Sequence, residues 1–277
     1  MKKRILLTVM AAGAALLFSG CTSAAPGPAS NNSDEGSGVL RVATMGDSKP
    51  YAYTEKGEFK GFDLELLNAV AAAENMSAEY VAMDFTAILP SVNNGQADVG
   101  AASIAVTDER KQNVDFSDPY FVGYIAIVAK GSAGIETEAD LAGKRLGLIQ
   151  GTIHENYATA NLGETDIVRF PDNNAGFSGL TSGTIDAQFM DLPVAQDYVA
   201  KNPDADLKII SEIPTLDMPA AYVVAKGDTA TLKTLNSGIK KIMMDGTWLE
   251  IYTKYFPDQP VPVELLPEGA KLPDDAS

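Results

Sequence analysis

The sequence has very little cysteine and histidine. Cys21 is the single cysteine among 277 residues, which excludes an internal disulfide and a cluster of thiolate metal ligands. His154 is the single histidine; Glu155 follows it, but no second histidine stands three residues further on, so the H-E-x-x-H pattern of zinc proteases is excluded. The sequence also lacks a G-x-S-x-G elbow and a phosphate-binding loop, the signatures of serine hydrolases and P-loop enzymes.

Long apolar runs are missing beyond the N-terminus. The run at residues 5–18 has fourteen residues, too few for an ordinary membrane span, and three basic residues precede it. This pattern predicts a signal peptide over residues 1–20. Phe18-Ser19-Gly20-Cys21 resembles a bacterial lipobox, so we expect Cys21 to be lipidated and to anchor the chain outside the bacterial cell membrane. An unpaired extracellular thiol is the alternative.

Large apolar side chains are missing from residues 22–38, which are rich in Ser, Gly, Pro and Asn. Such a segment cannot contribute to a core, so residues 21–38 are predicted to form a flexible tether. Positive charge is scarce as well. Without the three basic residues of the signal peptide, 18 Lys and Arg stand against 37 Asp and Glu, a net charge of −19. This balance disfavours nucleic acid and anionic lipid as partners.

The 239 residues from Val39 onward alternate short strand-like runs with helical runs. This alternation is typical of an α/β fold with a largely parallel sheet. It occurs twice along the chain, which predicts two α/β lobes. The predicted strands of the first half are VLRVATM, AEYVAM and ADVGAAS, and those of the second half are KRLGLIQ, TDIVRF and DAQFMD.

The two halves share a local pattern. NNGQADVGAAS and TSGTIDAQFMD each end a helix at a glycine and start a strand at an aspartate. Five residues later each reaches a polar side chain, from Asp98 to Ser103 and from Asp186 to Asp191. Ligands of open α/β sheets bind beyond the carboxyl ends of strands, so we expect Ser103 and Asp191 to face one cleft. The alternative is that the two aspartates only end turns and that the likeness is accidental.

The C-terminal part reads as two helices separated by Asp245-Gly246. Apolar residues recur at helical spacing on both sides of this break, and Pro257 is the predicted stop. An aromatic stripe of this kind is typical of core packing. The first set is Leu232, Leu235, Ile239, Ile242 and Met243, and the second is Trp248, Ile251, Tyr252, Tyr255 and Phe256.

Arg110 stands at an unusual place. In Thr107-Asp108-Glu109-Arg110, Thr107 is a good N-cap and the two acids suit the positive end of a helix dipole. A cation in the first turn opposes that dipole, which suggests that Arg110 is held there to meet an anion. A surface ion pair with Asp108 or Asp115 is the alternative.

Four sequence motifs, in this order along the chain, resemble those of the solute-binding proteins of ABC amino-acid importers. This group is extracellular solute-binding protein family 3, and the likeness is to the branch related to glutamine- and histidine-binding proteins. They are GEFKGFDLELLNAVA, MDFTAILPSVNNGQADVGAASIAVTDERKQNVDFSDPY, ADLAGKRLGLIQGT and DGTWLEIYTKYF, and the likeness runs from about Leu40 to Phe256. It implies a two-lobed, type II periplasmic-binding-protein-like fold with a mostly parallel sheet in each lobe. The chain would cross between the lobes near residues 122–125 and again near residues 217–220.

The implied boundaries are residues 39–122 plus 220–277 for lobe 1 and residues 123–219 for lobe 2. Closure of the lobes around a ligand would be a hinge motion, and a membrane permease would recognise the closed form. The resemblance therefore implies a binding protein and not an enzyme, with an amino acid and the permease as its partners.

The resemblance also implies roles for individual residues. Arg110 would pair with the α-carboxylate of the ligand and Asp191 with its α-ammonium group. Thr152, before a helix N-terminus, would offer its amide and hydroxyl to the carboxylate, and Ser103 would donate or accept through its main chain. Phe85 would flank the ligand; a core aromatic is the alternative.

Departures from the family pattern bear on the substrate. Ala105 replaces a serine or threonine that donates to the carboxylate in relatives. Met45 stands near an aspartate of relatives that bind basic or amide ligands, and Ser48 stands where an aromatic residue is usual. Ile149 and Ile153 would line the wall of lobe 2. The sequence offers no second arginine that would pair with an acidic ligand side chain. We therefore expect a neutral amino acid.

Two other functions stay open. Some members of this fold are periplasmic dehydratases of prephenate-like acids, which need a general acid or base in the cleft. His154, in the first turn of a helix, is predicted to be solvated, with cleft lining as the second interpretation. A sensor that presents its closed form to a membrane receptor would use the same ligand-driven shift.

Overall fold

The computed structural model describes residues 38–271. The predicted signal peptide, Cys21 and nearly all of the predicted tether lie outside the described residues. The strands are β1 (Val39–Thr44), β2 (Asp47–Ser48), β3 (Ala52–Glu55), β4 (Glu58–Lys60), β5 (Ser77–Ala82), β6 (Val99–Gly100), β7 (Val114–Phe116), β8 (Tyr124–Lys130), β9 (Arg145–Ile149), β10 (Asp166–Phe170), β11 (Ala187–Asp191), β12 (Leu207–Pro214) and β13 (Val223–Ala225).

The α-helices alternate with the strands along much of the chain, as predicted. They are α1 (Phe62–Ala73), α2 (Phe85–Asn93), α3 (Asp108–Lys111), α4 (Ile153–Asn161), α5 (Asn173–Ser182), α6 (Leu192–Lys201), α7 (Thr229–Asp245) and α8 (Thr247–Tyr255). Within residues 38–271, no helix has the length and apolar character that a bilayer crossing requires.

Two five-stranded sheets form the centres of two lobes. The first has the order β5-β1-β6-β13-β7 and the second has the order β10-β9-β11-β8-β12. A small third sheet of β2, β3 and β4 extends the first lobe. The chain passes from the first lobe to the second between β7 and β8, and it returns between β12 and β13. Ala220 on the return path forms isolated bridges with Ala105 and Phe121.

Each five-stranded sheet is mixed but mostly parallel, as predicted, because four of its five strands run in one direction. In the first, β1 is parallel to β5 and β6, whereas β13 is antiparallel to β6 and β7. In the second, β9 is parallel to β10 and β11, whereas β8 is antiparallel to β11 and β12. The antiparallel strands β8 and β13 each enter a sheet directly after an interlobe crossing, so no crossover helix sets their direction.

The shared aspartates of the two halves make the same contacts. Asp98 accepts the backbone N–H of Arg41 at 2.8 Å and its Nε at 3.0 Å. Asp186 accepts the backbone N–H of Arg145 at 2.9 Å and its Nε at 3.1 Å. In both cases the arginine hydrogen bonds hold the pKa of the carboxyl below its usual range. The pattern in the sequence is therefore a repeated device that ties each β-strand start to its neighbour, and the accidental alternative is wrong.

The C-terminal helices pack as the apolar stripe predicts. Gly246 separates them with φ +93, a left-handed conformation that favours glycine. Trp248 is fully buried in α8, and its indole N–H donates to the carbonyl of Tyr120 at 3.0 Å. The ring of Phe256 packs on Phe62 with a centroid distance of 5.0 Å. These aromatic residues belong to the core of lobe 1.

The sheet of lobe 2 lies between two helical layers. Alternate residues of β8 belong to different clusters, since Ile125 and Ile127 pack with Ile153 of α4. Ala126 and Val128 belong to the cluster that contains Leu180 of α5. This α/β/α arrangement leaves the ends of the sheet free, and the end at which its parallel strands stop faces lobe 1.

Candidate functional site

A cavity lies between the two lobes where their parallel strands end. Its empty volume is about 500 Å³, part of which is open to solvent. The structure brings all seven predicted binding residues to its lining: Met45, Phe85, Ser103, Ala105, Arg110, Thr152 and Asp191. Ile149 and Ile153, which were predicted to form the wall of lobe 2, line it as well, and so does Ser48.

Strand ends explain this convergence. In lobe 1, Met45 follows β1, Phe85 opens the helix after β5, and Ser103 lies just beyond β6. In lobe 2, Thr152 follows β9, and Asp191 is the last residue of β11. Parallel strands deliver their carboxyl ends to one edge of a sheet, so side chains that are distant in sequence meet there.

Arg110 lies in the first turns of α3, as predicted. Thr107 caps this helix, because its hydroxyl accepts the backbone N–H of Arg110 at 3.2 Å. The guanidinium donates from Nη1 to the carbonyl of Ala105 at 2.8 Å and from Nη2 to the carbonyl of Gly151 at 2.9 Å. The second bond joins the two lobes. Two of the five guanidinium N–H groups are thereby used, which leaves three for another acceptor.

The charge of Arg110 meets no carboxylate in the described part of the chain. Asp108 pairs with Lys111 and Asp115 pairs with Lys226, so the surface ion pair that was the alternative for Arg110 is not formed. Burial lowers the pKa of Arg110 to about 10, and the group stays charged at neutral pH. Its Cζ lies 5.3 Å from the centre of the Phe85 ring, a favourable cation–π distance.

Asp191 carries the opposite charge in the same cavity. Its carboxylate does not cap α6, although Asp191 is the residue before that helix. Among the Lys, Arg and His residues of 38–271, the one within 4.0 Å of this carboxylate is His154, whose Nε2 lies 3.5 Å from Oδ1. The side chain of Asp191 is 30% exposed, so it can still be reached from the cavity.

His154 corrects a sequence prediction. It was predicted to be solvated, but it is 6% exposed and lines the cavity. Its ring packs edge-on against Phe189, with centroids 5.2 Å apart, because α4 lies directly on the sheet of lobe 2. Nε2 has no hydrogen-bond partner in the described residues. The second interpretation, cleft lining, is therefore the correct one.

Thr152 and Ser103 use some of their groups within the protein. The Thr152 hydroxyl donates to the carbonyl of Ile149 at 2.7 Å, and it does not cap α4. The predicted hydroxyl donor is therefore directed away from a ligand here, whereas the amides at the start of α4 stay available. The N–H of Ser103 donates to Oδ2 of Asp63. Its main chain can offer a ligand only the carbonyl oxygen.

Asp63 is a site residue that the sequence reasoning missed. It lies in the first turn of α1. The residue before that helix is Gly61, which has φ +127 and at which an added Cβ would come within 2.1 Å of the Tyr51 carbonyl oxygen. The carboxyl is fully buried, and Oδ1 lacks a hydrogen-bond partner within residues 38–271. Through the N–H of Ser103 it holds that residue at φ +49 on the cavity floor. Desolvation by burial raises the pKa of Asp63 to about 7.

The raised pKa of Asp63 predicts a pH-dependent stability. Because the folded protein keeps the proton that the unfolded chain releases near its ordinary pKa of 3.8, the contribution to stability is largest below pH 4 and falls up to about pH 7. Asp63→Asn keeps the shape and an acceptor for Ser103 but does not titrate. Urea unfolding at several pH values should show wild type losing stability relative to this variant between pH 4 and 7. Parallel curves would contradict the prediction.

Asn173 is a second residue that was missed. It is 2% exposed, lines the cavity and opens α5 just after β10. The rule that found Ser103 and Asp191 applies to β10 as well, so its carboxyl end is the signal that could have identified Asn173. Phe189 and Met190 line the cavity from β11; in the sequence they are indistinguishable from core residues.

Known proteins resemble this chain over most of its length. The family model of the bacterial extracellular solute-binding proteins, family 3, matches residues 40–258. A probable histidine-binding protein of Neisseria gonorrhoeae is 32% identical over 222 residues, which are 79% of this chain and 83% of that protein.

Solved structures agree with this assignment. An ancestral arginine-binding protein, solved with arginine and with glutamine bound, is 35% identical at a TM-score of 0.75. The matches cover 79% and 80% of this chain and 98% and 99% of that one. The ancestral amino-acid-binding protein AncCDT-1, a precursor of cyclohexadienyl dehydratase, is 32% identical at a TM-score of 0.70, with coverages of 79% and 95%. The predicted type II fold is confirmed, and the chain belongs to the bacterial extracellular solute-binding proteins, family 3.

Proposed function

We propose that this protein binds a free amino acid between its lobes and delivers it to the permease of an ABC importer. The names of the similar histidine- and arginine-binding proteins support an amino acid as the ligand class. One observation carries the proposal. Arg110 from lobe 1 and Asp191 from lobe 2 line one cavity, and neither has an oppositely charged Lys, Arg, Asp or Glu partner among residues 38–271.

These two charges match the two ends of a zwitterion. The guanidinium of Arg110 can donate two parallel hydrogen bonds to an α-carboxylate, and it keeps three N–H groups for this purpose. The start of α4 adds backbone N–H groups and the positive end of its dipole. Asp191 then receives the α-ammonium group, which compensates the cost of keeping a carboxylate at the end of a buried strand.

The remaining lining favours a ligand with an uncharged side chain. Once Arg110 and Asp191 are engaged, the other described lining residues include no Lys, Arg, Asp or Glu. Besides Thr152, the polar residues among these are Ser48, Ser103, His154 and Asn173. A lysine or arginine side chain would find no carboxylate there, and an aspartate or glutamate would find no second guanidinium.

Closure of the lobes completes the binding step. We place lobe 1 at residues 39–122 plus 220–277 and lobe 2 at residues 123–219, with the crossings as hinges. Arg110 already bridges the lobes through the carbonyl of Gly151. Closure therefore brings together the guanidinium and the start of α4, which both donate to the ligand's carboxylate. Lipidation of Cys21 would keep the protein at the membrane beside its permease.

A dehydratase is the second candidate, because AncCDT-1 is a precursor of such an enzyme. The cavity holds one group suited to proton transfer, His154, 3.5 Å from Asp191. Asp191 would repel the second carboxylate of a prephenate-like dicarboxylic acid, which favours binding without catalysis. A sensor would use the same closure, and adjacent genes for a permease and an ATPase distinguish the importer.

Thermal-shift screening with the twenty amino acids tests the proposal. We expect one or a few amino acids with uncharged side chains to raise the melting temperature, since a ligand at one hundred times its Kd adds roughly 2.7 kcal/mol of stability. Mass spectrometry of small molecules released on denaturation should identify the same compound. Stabilisation mainly by Lys, Arg, Asp or Glu would reject the neutral class, and turnover of prephenate would reject the binding-only function.

A further inference from the structure

Among residues 38–271, two side-chain contacts join the lobes outside the cavity. Asp47 of β2, in the small sheet of lobe 1, accepts the backbone N–H of Asn174 at 2.9 Å. Asn174 belongs to the first turn of α5 in lobe 2. Lys49 of lobe 1 lies 3.3 Å from Asp197 of α6. Neither Asp47 nor Lys49 lines the cavity, so their contacts act between the lobes and not on a ligand.

Asp47 completes the N-terminus of a helix from the other lobe. The first N–H groups of a helix have no partner within it, and negative charge is stabilising there. Asp172, the N-cap of α5, accepts the N–H of Ala175 at 2.7 Å. The N–H of Asn174 is therefore left for Asp47, which supplies the acceptor across the cleft. Asp47 is half-buried at this contact, and burial raises the pKa of its carboxyl.

The lysine contact is the weaker of the two. Asp197 also pairs with Lys201 of its own helix at 2.6 Å, so its charge is already compensated within lobe 2. The side chains of Lys49 and Asp197 are 36% and 28% exposed. Ion pairs that reach water contribute little to stability.

The neighbours of the contact residues line the cavity. Ser48 follows Asp47 and is 7% exposed, and Asn173 precedes Asn174 and is 2% exposed. When Asp47 meets the start of α5, the same two segments bring Ser48 and Asn173 together around the ligand space. The contact outside the cavity and the wall inside it therefore form in one movement.

We propose that Asp47 is an interlobe latch, which sets ligand affinity by holding the lobes closed through the N-terminus of α5, with Lys49 as a minor second contact. The inference rests on the proposed function for its meaning in transport. Its physical content is independent of any ligand: the latch raises the closed fraction of the free protein. Apparent affinity is proportional to that fraction, so a loss of the latch weakens binding although Asp47 itself does not line the cavity.

Distance measurements on the ligand-free chain test the latch directly. Cys21 is the single native cysteine, so Cys21→Ser with Glu79→Cys and Asp166→Cys gives the full chain two labelling sites. Both sites are exposed, on the outermost strands β5 and β10 of the two large sheets. Electron–electron double resonance between spin labels then reports the separation of the lobes. We expect Asp47→Ala to move the distribution to longer distances, Asp47→Asn to move it less, and Lys49→Ala to change it slightly.

Asp228→Ala is the matched control. Asp228 caps α7 through the N–H of Thr231 at 3.1 Å, entirely within lobe 1. Its loss should lower the melting temperature without changing the lobe separation, whereas Asp47→Ala should change the separation. An Asp47→Ala distribution equal to that of the parent would overturn the latch.

Calorimetry with the amino acid selected by the thermal-shift screen gives the second reading. Affinity should fall about tenfold in Asp47→Ala, the loss of one charge-assisted hydrogen bond, and about twofold in Lys49→Ala. If Asp47→Ala binds the amino acid as tightly as wild type does, the latch does not set ligand affinity. If no amino acid binds wild type, the proposed function fails, and the distance measurement still decides whether Asp47 holds the lobes.

Discussion

Replacing Arg110 with alanine is expected to weaken amino-acid binding by about 2–5 kcal/mol, roughly thirtyfold to several thousandfold. The reason is electrostatic. In the wild type, the three free guanidinium N–H groups face a cavity in which the ligand's α-carboxylate would be removed from water. Without the guanidinium, this carboxylate would be buried with only the N–H groups of α4 to compensate it.

Arg110→Lys separates charge from geometry. A lysine keeps the cation but loses the fork that matches a carboxylate and the bond to Gly151 across the cleft. Its affinity should lie between those of wild type and the alanine variant. Lys111→Ala is the control, because Lys111 is the next residue of α3, pairs with Asp108 on the surface and lies outside the cavity lining.

Isothermal titration calorimetry measures all three variants, and thermal unfolding checks that each is folded. Titration of a decarboxylated analogue of the ligand adds a specific test, because an amine without the α-carboxylate should bind wild type and Arg110→Ala about equally weakly. Affinities of both Arg110 variants within about threefold of wild type would remove this residue from the site.

Replacing Asp191 with alanine should have a similar cost, about 2–5 kcal/mol of binding free energy. Here the stranded charge would be the ligand's α-ammonium group. Asp191 ends β11, and its carboxylate has His154 as a neighbour but no lysine or arginine within 4.0 Å in residues 38–271. Asp191→Asn keeps the size and removes the charge, so it should lose most of the same affinity.

The deaminated analogue of the ligand isolates this interaction. It should bind wild type poorly and should gain nothing from Asp191, so its affinity should change little in Asp191→Ala. Asp204→Asn is the control, since it removes one exposed negative charge from the same lobe. If the amino acid and its deaminated analogue lose affinity equally in Asp191→Ala, the residue has a structural role and does not contact the ammonium group.

Much of the fold could be predicted from local pattern. The six predicted strand-like runs match β1, β5, β6, β9, β10 and β11, and Gly246 separates α7 from α8 where the apolar stripe breaks. These features depend on periodicity and on neighbouring residues, which the sequence displays directly. The direction of β8 and β13 could not be predicted in this way, because it depends on how the chain returns from the other lobe.

The site shows the same division. In the sequence, a strand that ends in a polar residue identified Ser103 and Asp191, and an arginine against a helix dipole identified Arg110. The family resemblance added Thr152, Phe85, Met45 and Ala105. All seven line one cavity, and their roles toward a ligand stay predictions until the variants are measured.

The sequence alone determined the order of elements, the charges at the strand ends and the family, because each is encoded in residues close together along the chain. Only the tertiary structure decided what those groups meet. It buried His154 beside Asp191, turned the Thr152 hydroxyl to Ile149, and brought Asp47 to a helix 127 residues away. Burial and pairing across lobes arise from packing between distant segments, and no local pattern carries that information.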